Sequence, residues 1–272
     1  MIAFYENHKG ERINLLEHPY RLETGDFFDY EWECLSYGRN IYGFQRRMME
    51  KTVRLEAFCA RAELAAAMNR LESVTQADVM NSMPGKLYVN DQYLVCYVKQ
   101  SKKTEWETDV LTVIELTIVS DKPFWVSELF RSFLPKGEGE VADGGLNHPF
   151  NYPFNYTVSD RGIVDWNIDH FNASPYFMII YGPVTNPRIL INNQPIDIYT
   201  TLESNEHLTI DSHAHKIIKH LSNGTKANLF DDRYKTTSIF DPIPAGNVTF
   251  NWPGTFGFDL TVYLERNEPP WT

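Results

Sequence analysis

The sequence predicts a mainly β protein, with a β-rich N-terminal domain carrying one α-helix and a C-terminal antiparallel β-sandwich. Three observations predict it. Aromatic residues make up 14% of the 272, with 15 Tyr and 17 Phe, and such side chains suit pleated, half-buried surfaces. Short runs of β-branched and aromatic residues recur beyond residue 150, each bounded by turn residues, with no helical pattern between them. One segment alone, residues 60–73, has a clear helical period.

Residues 27–60 alternate loosely and are rich in Tyr, Phe and Trp, which reads as strands broken at Gly38 and Gly43. In ARAELAAAMNRLES (60–73), Leu64, Met68 and Leu71 fall at i, i+4 and i+7 among strong helix formers. That stripe is narrow, so the helix is expected to lie against a sheet. Pro84-Gly85 marks a turn. Residues 87–89 and 93–99 read as strands joined at Asn90-Asp91, since Asn and Asp tolerate the positive φ of tight hairpins. Residues 106–120 read as one long strand, with Val110, Thr112, Ile114, Leu116 and Ile118 on one face.

Residues 129–150 carry Gly137, Gly139, Gly144 and Gly145 and are expected to form a linker or excursion between domains 1–128 and 151–272. In the second domain FMIIY (177–181), RILI (188–191), HLTI (207–210), HKIIKHL (215–221), TSIF (237–240), NVTFNW (247–252) and FGFDLTVYL (256–264) read as strands. Asn192-Asn193 and Ser222-Asn223-Gly224 are the clearest turns between them. This spacing favours an antiparallel sandwich over a parallel α/β sheet.

The net charge of −11 is spread over both halves, and no basic stripe interrupts it. Nucleic-acid binding and cationic membrane binding both need a clustered positive face, so neither is expected. No run reaches the ~18 apolar residues of a membrane span. Cys34, Cys59 and Cys96 are odd in number, lack a CxxC and sit among apolar neighbours. They are expected to be buried thiols of a protein made in a reducing cytoplasm. The opening MIAFYENHKGERI has no apolar core, so no signal peptide is expected. The Asn-x-Ser/Thr triplets at Asn155, Asn172, Asn223 and Asn247 then read as turn chemistry or chance.

No nucleophile elbow, phosphate loop, dinucleotide fingerprint or H-E-x-x-H occurs, and Gly137-Glu138-Gly139 lacks the strand and third glycine it would need. Asp231-Asp232 are adjacent and cannot act together on one bond. The richest cluster is DSHAHKIIKH (211–220). On a strand, Asp211, His213 and His215 share a face and suggest zinc ligands. Residues i and i+4 of a strand lie ~13 Å apart, so only two of the three can bind one ion. His207 and His220 are possible further donors. A turn at Asp211-Ser212 would instead break the alternation. A sugar site is the other candidate. Asn186-Pro187-Arg188 and a turn-exposed Trp252 supply the Asn, Arg and stacking ring that sandwich lectins use, although Val184 stands where the galectin pattern has His.

Collinear blocks carry a resemblance. HPFNYPFNY (148–156), FMIIYGPVTNPRILIN (177–192), LTIDS (208–212) and GNVTFNWPGTFGFDLTVYLERNEPPW (246–271) resemble the distal tail (Dit) proteins of siphophages and related prophages of Gram-positive bacteria. The helix at 60–73, MPGKLYVNDQYLVCYV (83–98) and IVSDKPFW (118–125) follow the same family in the same order. The resemblance spans nearly the whole chain, and no single block is diagnostic. It implies a homo-hexameric ring at the end of the tail tube. The N-terminal domain builds the ring, often with an arm reaching a neighbouring subunit, and the C-terminal domain is a galectin-like β-sandwich facing outward. Implied partners are the tail tube protein, the tape-measure protein, the tail-associated lysin or fibre protein and, in some phages, receptor-binding proteins. The implied place is the virion tail tip, after synthesis in the host cytoplasm. No catalysis or cofactor is implied, and no catalytic, cofactor-binding or metal residue is assigned.

Two rival readings stand beside this one: a carbohydrate-binding module for host cell-wall sugar, and a metal-dependent hydrolase resting on the histidine cluster. Trp32, Trp106, Phe124 and Trp125 serve either subunit contacts or the core. In the ending LERNEPPW, Pro269-Pro270 stop the strand and Trp271 follows. This tail is expected to pack on the protein rather than trail free.

Overall fold

A computed structural model of the chain describes residues 2–108, 110–135 and 162–270. The glycines at 137–145, the block 148–156, Asn155, Trp271 and the side chain of Trp106 lie outside the described residues. The chain divides into two compact units, one built from residues up to Ser127 with the segment from Glu265 onward, the other from Glu128–Leu264.

The first unit runs β1 (Ala3–Glu6), β2 (Arg12–Asn14), β3 (Tyr20–Gly25), β4 (Glu33–Tyr37), β5 (Asn40–Gln45), β6 (Met49–Phe58), α1 (Arg61–Asn81), β7 (Gly85–Val89), β8 (Gln92–Thr108) and β9 (Leu111–Ser120). All its pairings are antiparallel. One sheet is β2-β1-β7-β8 and the other β3-β6-β9-β8. The long β8 serves both because irregularities after Val98, Lys103 and Glu105 let it bend. Leu87 and Leu94 from one sheet, Leu55 and Ile114 from the other, and Leu64 and Leu71 from α1 share one core.

Here the structure corrects three expectations. Residues 106–120 are not one strand but the end of β8 followed by β9, with Thr108 paired to Leu111. Thr112, Ile114, Leu116 and Ile118 all lie within β9 and are buried on one face, while Val110, outside it, is exposed. Gly38 does turn the chain, at φ 61°, but Gly43 sits inside β5 opposite Leu35. The helix continues to Asn81, beyond residue 73. Its buried stripe runs Leu64, Ala67, Leu71, Val74, Thr75, Asp78, and an apolar period cannot follow a stripe that ends in Thr and Asp. Asp78 is fully buried because Tyr5 Oη donates to its Oδ2 at 2.5 Å and the His8 N–H to its Oδ1 at 2.9 Å. Gly85 packs so closely there that a Cβ would collide with Asp78 and Tyr5.

The chain passes from the first unit to the second within β10 (Trp125–Phe133), so residues 129–133, expected in the linker, are strand. The second unit continues with β11 (Ile163–Ile168), β12 (Tyr176–Tyr181), β13 (Val184–Thr185), β14 (Arg188–Ile191), β15 (Gln194–Asp197), β16 (Thr201–Leu202), β17 (His207–Asp211), β18 (Lys216–His220), β19 (Lys226–Asn228), β20 (Gly246–Asn251) and β21 (Phe258–Arg266). Two antiparallel sheets, β19-β18-β17-β12-β21 and β11-β20-β14-β15, bury one face each. Met178, Ile180, Leu208, Ile210 and Leu260 from the first sheet meet Ile189, Val248 and Phe250 from the second. The two turns expected in this region form as read. Asn192 and Asn193 both take positive φ between β14 and β15, and Gly224 does so between β18 and β19. TSIF is not a strand. Ile239 is a buried loop residue whose carbonyl accepts from Tyr176 Oη, so apolar burial there needs no ladder.

Candidate functional site

The histidine cluster does not form a ligand face. Asp211 ends β17 and pairs with Lys216 across a turn spanning residues 212–215. The Asp211 side chain closes that turn by accepting the Ala214 N–H at 2.8 Å, and His215 enters it at φ 53°. The turn destroys the alternation that would have aligned Asp211, His213 and His215. His215 stacks on Phe240, with ring centroids 5.0 Å apart. His207 and His220 do come together, as a cross-strand pair stacked at 4.4 Å. Burial, with His207 and Lys226 beside it, lowers the His220 pKa. Among the described residues no three His, Cys, Asp or Glu side chains gather where one ion could be held.

The sugar site also comes apart. Trp252 is 4% exposed. Its Nε1–H donates to the Phe256 carbonyl at 3.1 Å, and its ring meets Phe133 and Phe258 edge-on, so it offers no face to a ligand. Arg188 pairs with Asp197 at 3.5 Å, and Asn186 turns the chain at φ 50°. Cys96 and Cys59 are buried, and burial raises both thiols, that of Cys96 to about 12, which disfavours the thiolate. Cys34, expected to be buried, is exposed. Among the described residues no helix is long and apolar enough to cross a membrane.

The structure instead draws attention to a region that the sequence reading passed over as ordinary strands. β4 and β5 form a two-stranded hairpin that, among the described residues, pairs with no other strand. Tyr37 is 86% exposed and Tyr42 70%, and Ile41 and Phe44 are exposed with them. An isolated hairpin is at best marginally stable in water, and contiguous exposed apolar surface marks an interaction site. The missed signal lay in the order of its apolar residues. Cys34, Leu35, Tyr37, Ile41, Tyr42 and Phe44 occupy positions of both parities, so neither face reads as the buried one.

The hairpin joins the unit through residues 26–32 and 46–48, neither of which lies in a ladder. Beneath this root opens a recess of about 940 Å³, lined among others by Asp29, Trp32, Glu33 and Lys51. Lys51 is 3% exposed and its Nζ donates to the carbonyls of Asp26 and Asp29, while burial pushes its pKa down. Arg47 grips Glu33 with two donors across the root, the Nε contact at 2.7 Å. Arg46 faces the rings of Tyr30, Trp32 and Phe124 at 5.6–5.7 Å. It also donates to the Pro123 carbonyl and to Asn267 Oδ1, each at 3.0 Å. Asn267 belongs to the tail, where Pro269 is buried and burial raises the Glu265 carboxyl. The described part of the tail is therefore packed. Of the aromatic residues weighed for the core or for subunit contacts, Trp125 is fully buried, while Trp32 and Phe124 belong to this root.

No protein-family model and no curated protein matches the sequence. Solved structures do match. The SPP1 Dit (gp 19.1) protein, described as a paradigm of hub adsorption apparatus in phages infecting Gram-positive bacteria, aligns with a TM-score of 0.62 at 7% identity, over 97% of this chain and 98% of that one. A chain of the phage P2 baseplate in its calcium-activated conformation aligns at 0.59 and 10% identity, over 98% of this chain and 99% of that one. Its strontium-activated counterpart aligns at 0.60 and 11%, with the same coverage. Over nearly its whole length, this chain has the fold of these phage hub and baseplate proteins.

Proposed function

We propose that the chain is a structural distal tail protein, a hub at the tip of a phage or prophage tail. The observation that carries this reading is the fold shared with the SPP1 hub protein across 97% of the chain. In this reading six copies form a ring that joins the tail tube to the tail-tip fibre or lysin, or to receptor-binding proteins. The first unit builds the ring and the second, galectin-like, faces outward. The chain performs no catalysis.

The unpaired β4–β5 hairpin supports self-association, because its exposed rings require a surface that its own unit does not supply. Head-to-tail contacts of one patch on another close into a ring when the rotation between copies closes. Electron microscopy and native mass spectrometry of the purified chain, alone and co-expressed with a tail tube protein, test the reading. Six-copy rings are expected in at least one condition. A chain that stays monomeric in both, at concentrations on the order of 100 μM where interfaces of standard size are occupied, overturns it.

A further inference from the structure

The hairpin root has the parts of a hinge and a latch. Residues 26–32 and 46–48 lie outside any ladder and flank an open recess, with Asp26 bonded to Thr52 and Phe27 buried at the fixed end, so bending beyond them disrupts no ladder hydrogen bond. Arg47 grips Glu33 and Lys51 holds the Asp26 and Asp29 carbonyls there, and one further side chain reaches the tail. Arg46 leaves the end of β5, lies against Tyr30 and Trp32 on the opposite limb, and reaches Pro123 and Asn267 on the body. Its Nη1 and Nη2 each donate to one of these two partners, from a planar fork whose spacing the single ammonium of a lysine does not reproduce. Asn267 is separated from Arg46 by 221 positions in sequence, and the tail that carries it is anchored by buried Pro269.

We propose that the tail is a latch that sets the angle of the β4–β5 hairpin through the Arg46–Asn267 contact. The hairpin's rigidity is thereby a property of a segment reached only after the whole second unit has been traversed. A chain with a damaged tail holds its core yet presents the hairpin at a range of angles. The consequence for assembly rests on the tail-hub reading, but the latch itself is a property of one chain and is measured on one chain.

Electron paramagnetic resonance gives that measurement. In a Cys34→Ser background, nitroxides are placed through Tyr37→Cys at the hairpin and Ser73→Cys on the exposed side of α1; Cys59 and Cys96 are buried from the reagent. The intact tail is expected to give a narrow distance distribution. Arg46→Ala, Asn267→Ala and a stop after Arg266 are each expected to broaden it about twofold or more, the scale of a freed loop. Arg46→Lys is expected to broaden it too, since charge alone does not latch. Circular dichroism should stay unchanged throughout. Should the stop prevent folding, Asn267→Ala still decides. A distribution already broad with the tail intact, or equally narrow in Asn267→Ala and Arg46→Ala, overturns the latch, and neither result depends on whether the chain forms rings.

Discussion

The chain contains two hairpins of similar length that meet opposite fates. β14–β15 places Ile189, Ile191 and Ile196 in the core and joins a larger sheet through β20. β4–β5 carries at least as much apolar surface and buries almost none of it. Backbone pairing is the same in kind, so the ladder does not separate them. What separates them is whether the alternation of side chains matches a face that the unit itself can cover. Where it matches, the hairpin is structure; where it does not, the apolar side chains are left for another surface.

The largest expected effect breaks this contrast directly. Ile189→Ala empties a fully buried position and should cost about 2–5 kcal/mol. Ile41→Ala removes the same atoms from an exposed position and should stay within about 0.5 kcal/mol. Chemical denaturation of the monomeric chain reads both. Equal losses would mean that the β4–β5 surface is covered within the single chain, and the comparison would fail.

A second change sharpens it. Tyr42→Ser combined with Phe44→Ser should leave the unfolding midpoint of the isolated chain nearly unmoved. The same pair should abolish self-association, because exposed rings that do little for the monomer are those with most to lose at an interface. Analytical ultracentrifugation of the two chains under assembling conditions checks this. Rings as abundant as in the unsubstituted chain would remove the hairpin from the assembly surface.

The sequence was legible where the local signal and the tertiary demand coincide. The Asn90 and Asn192-Asn193 turns carry the side chains that tolerate positive φ, and the strands beside them alternate against a core. The first four turns of α1 were legible from Leu64 and Leu71. Its last two were not, because Asp78 is held by Tyr5 and His8 some seventy residues away, and no local pattern reports such a bond. The break between β8 and β9 was hidden because the alternating residues Thr112 to Ile118 lie wholly within β9. The candidate chemistry failed for a related reason. The ligand face of Asp211, His213 and His215 assumed continuous strand, and Trp252 assumed a turn that exposes its ring. The resemblance to distal tail proteins drew on collinear blocks across the chain, and so did not depend on any one of these local assignments.

A third hairpin, β17–β18, lies between the two extremes and yields the smallest expected effect. Its inner side chains Leu208, Ile210 and Ile217 are in the core, while its outer row pairs His207 with His220 next to Lys226. Burial, then His207 and Lys226, hold the folded His220 imidazole below the usual histidine value of about 6.5. The unfolded chain therefore takes up the proton first on acidification. The contribution of this row is present above about pH 6.5 and is lost as the pH falls through the folded value. Thr209, which faces His220 from β17, does not titrate, and Tyr181, beyond His207, is bonded through its hydroxyl to Asp259. The residue is only partly buried, so screening keeps the effect small. Thermal unfolding between pH 7.5 and pH 5 should show a decline that His220→Gln reduces by about 2 °C, whereas Tyr37→Ser on the open hairpin should leave the profile unchanged. A His220→Gln profile parallel to that of the parent would mean that the row is fully solvated, and that β17–β18 draws its stability from its inner face alone.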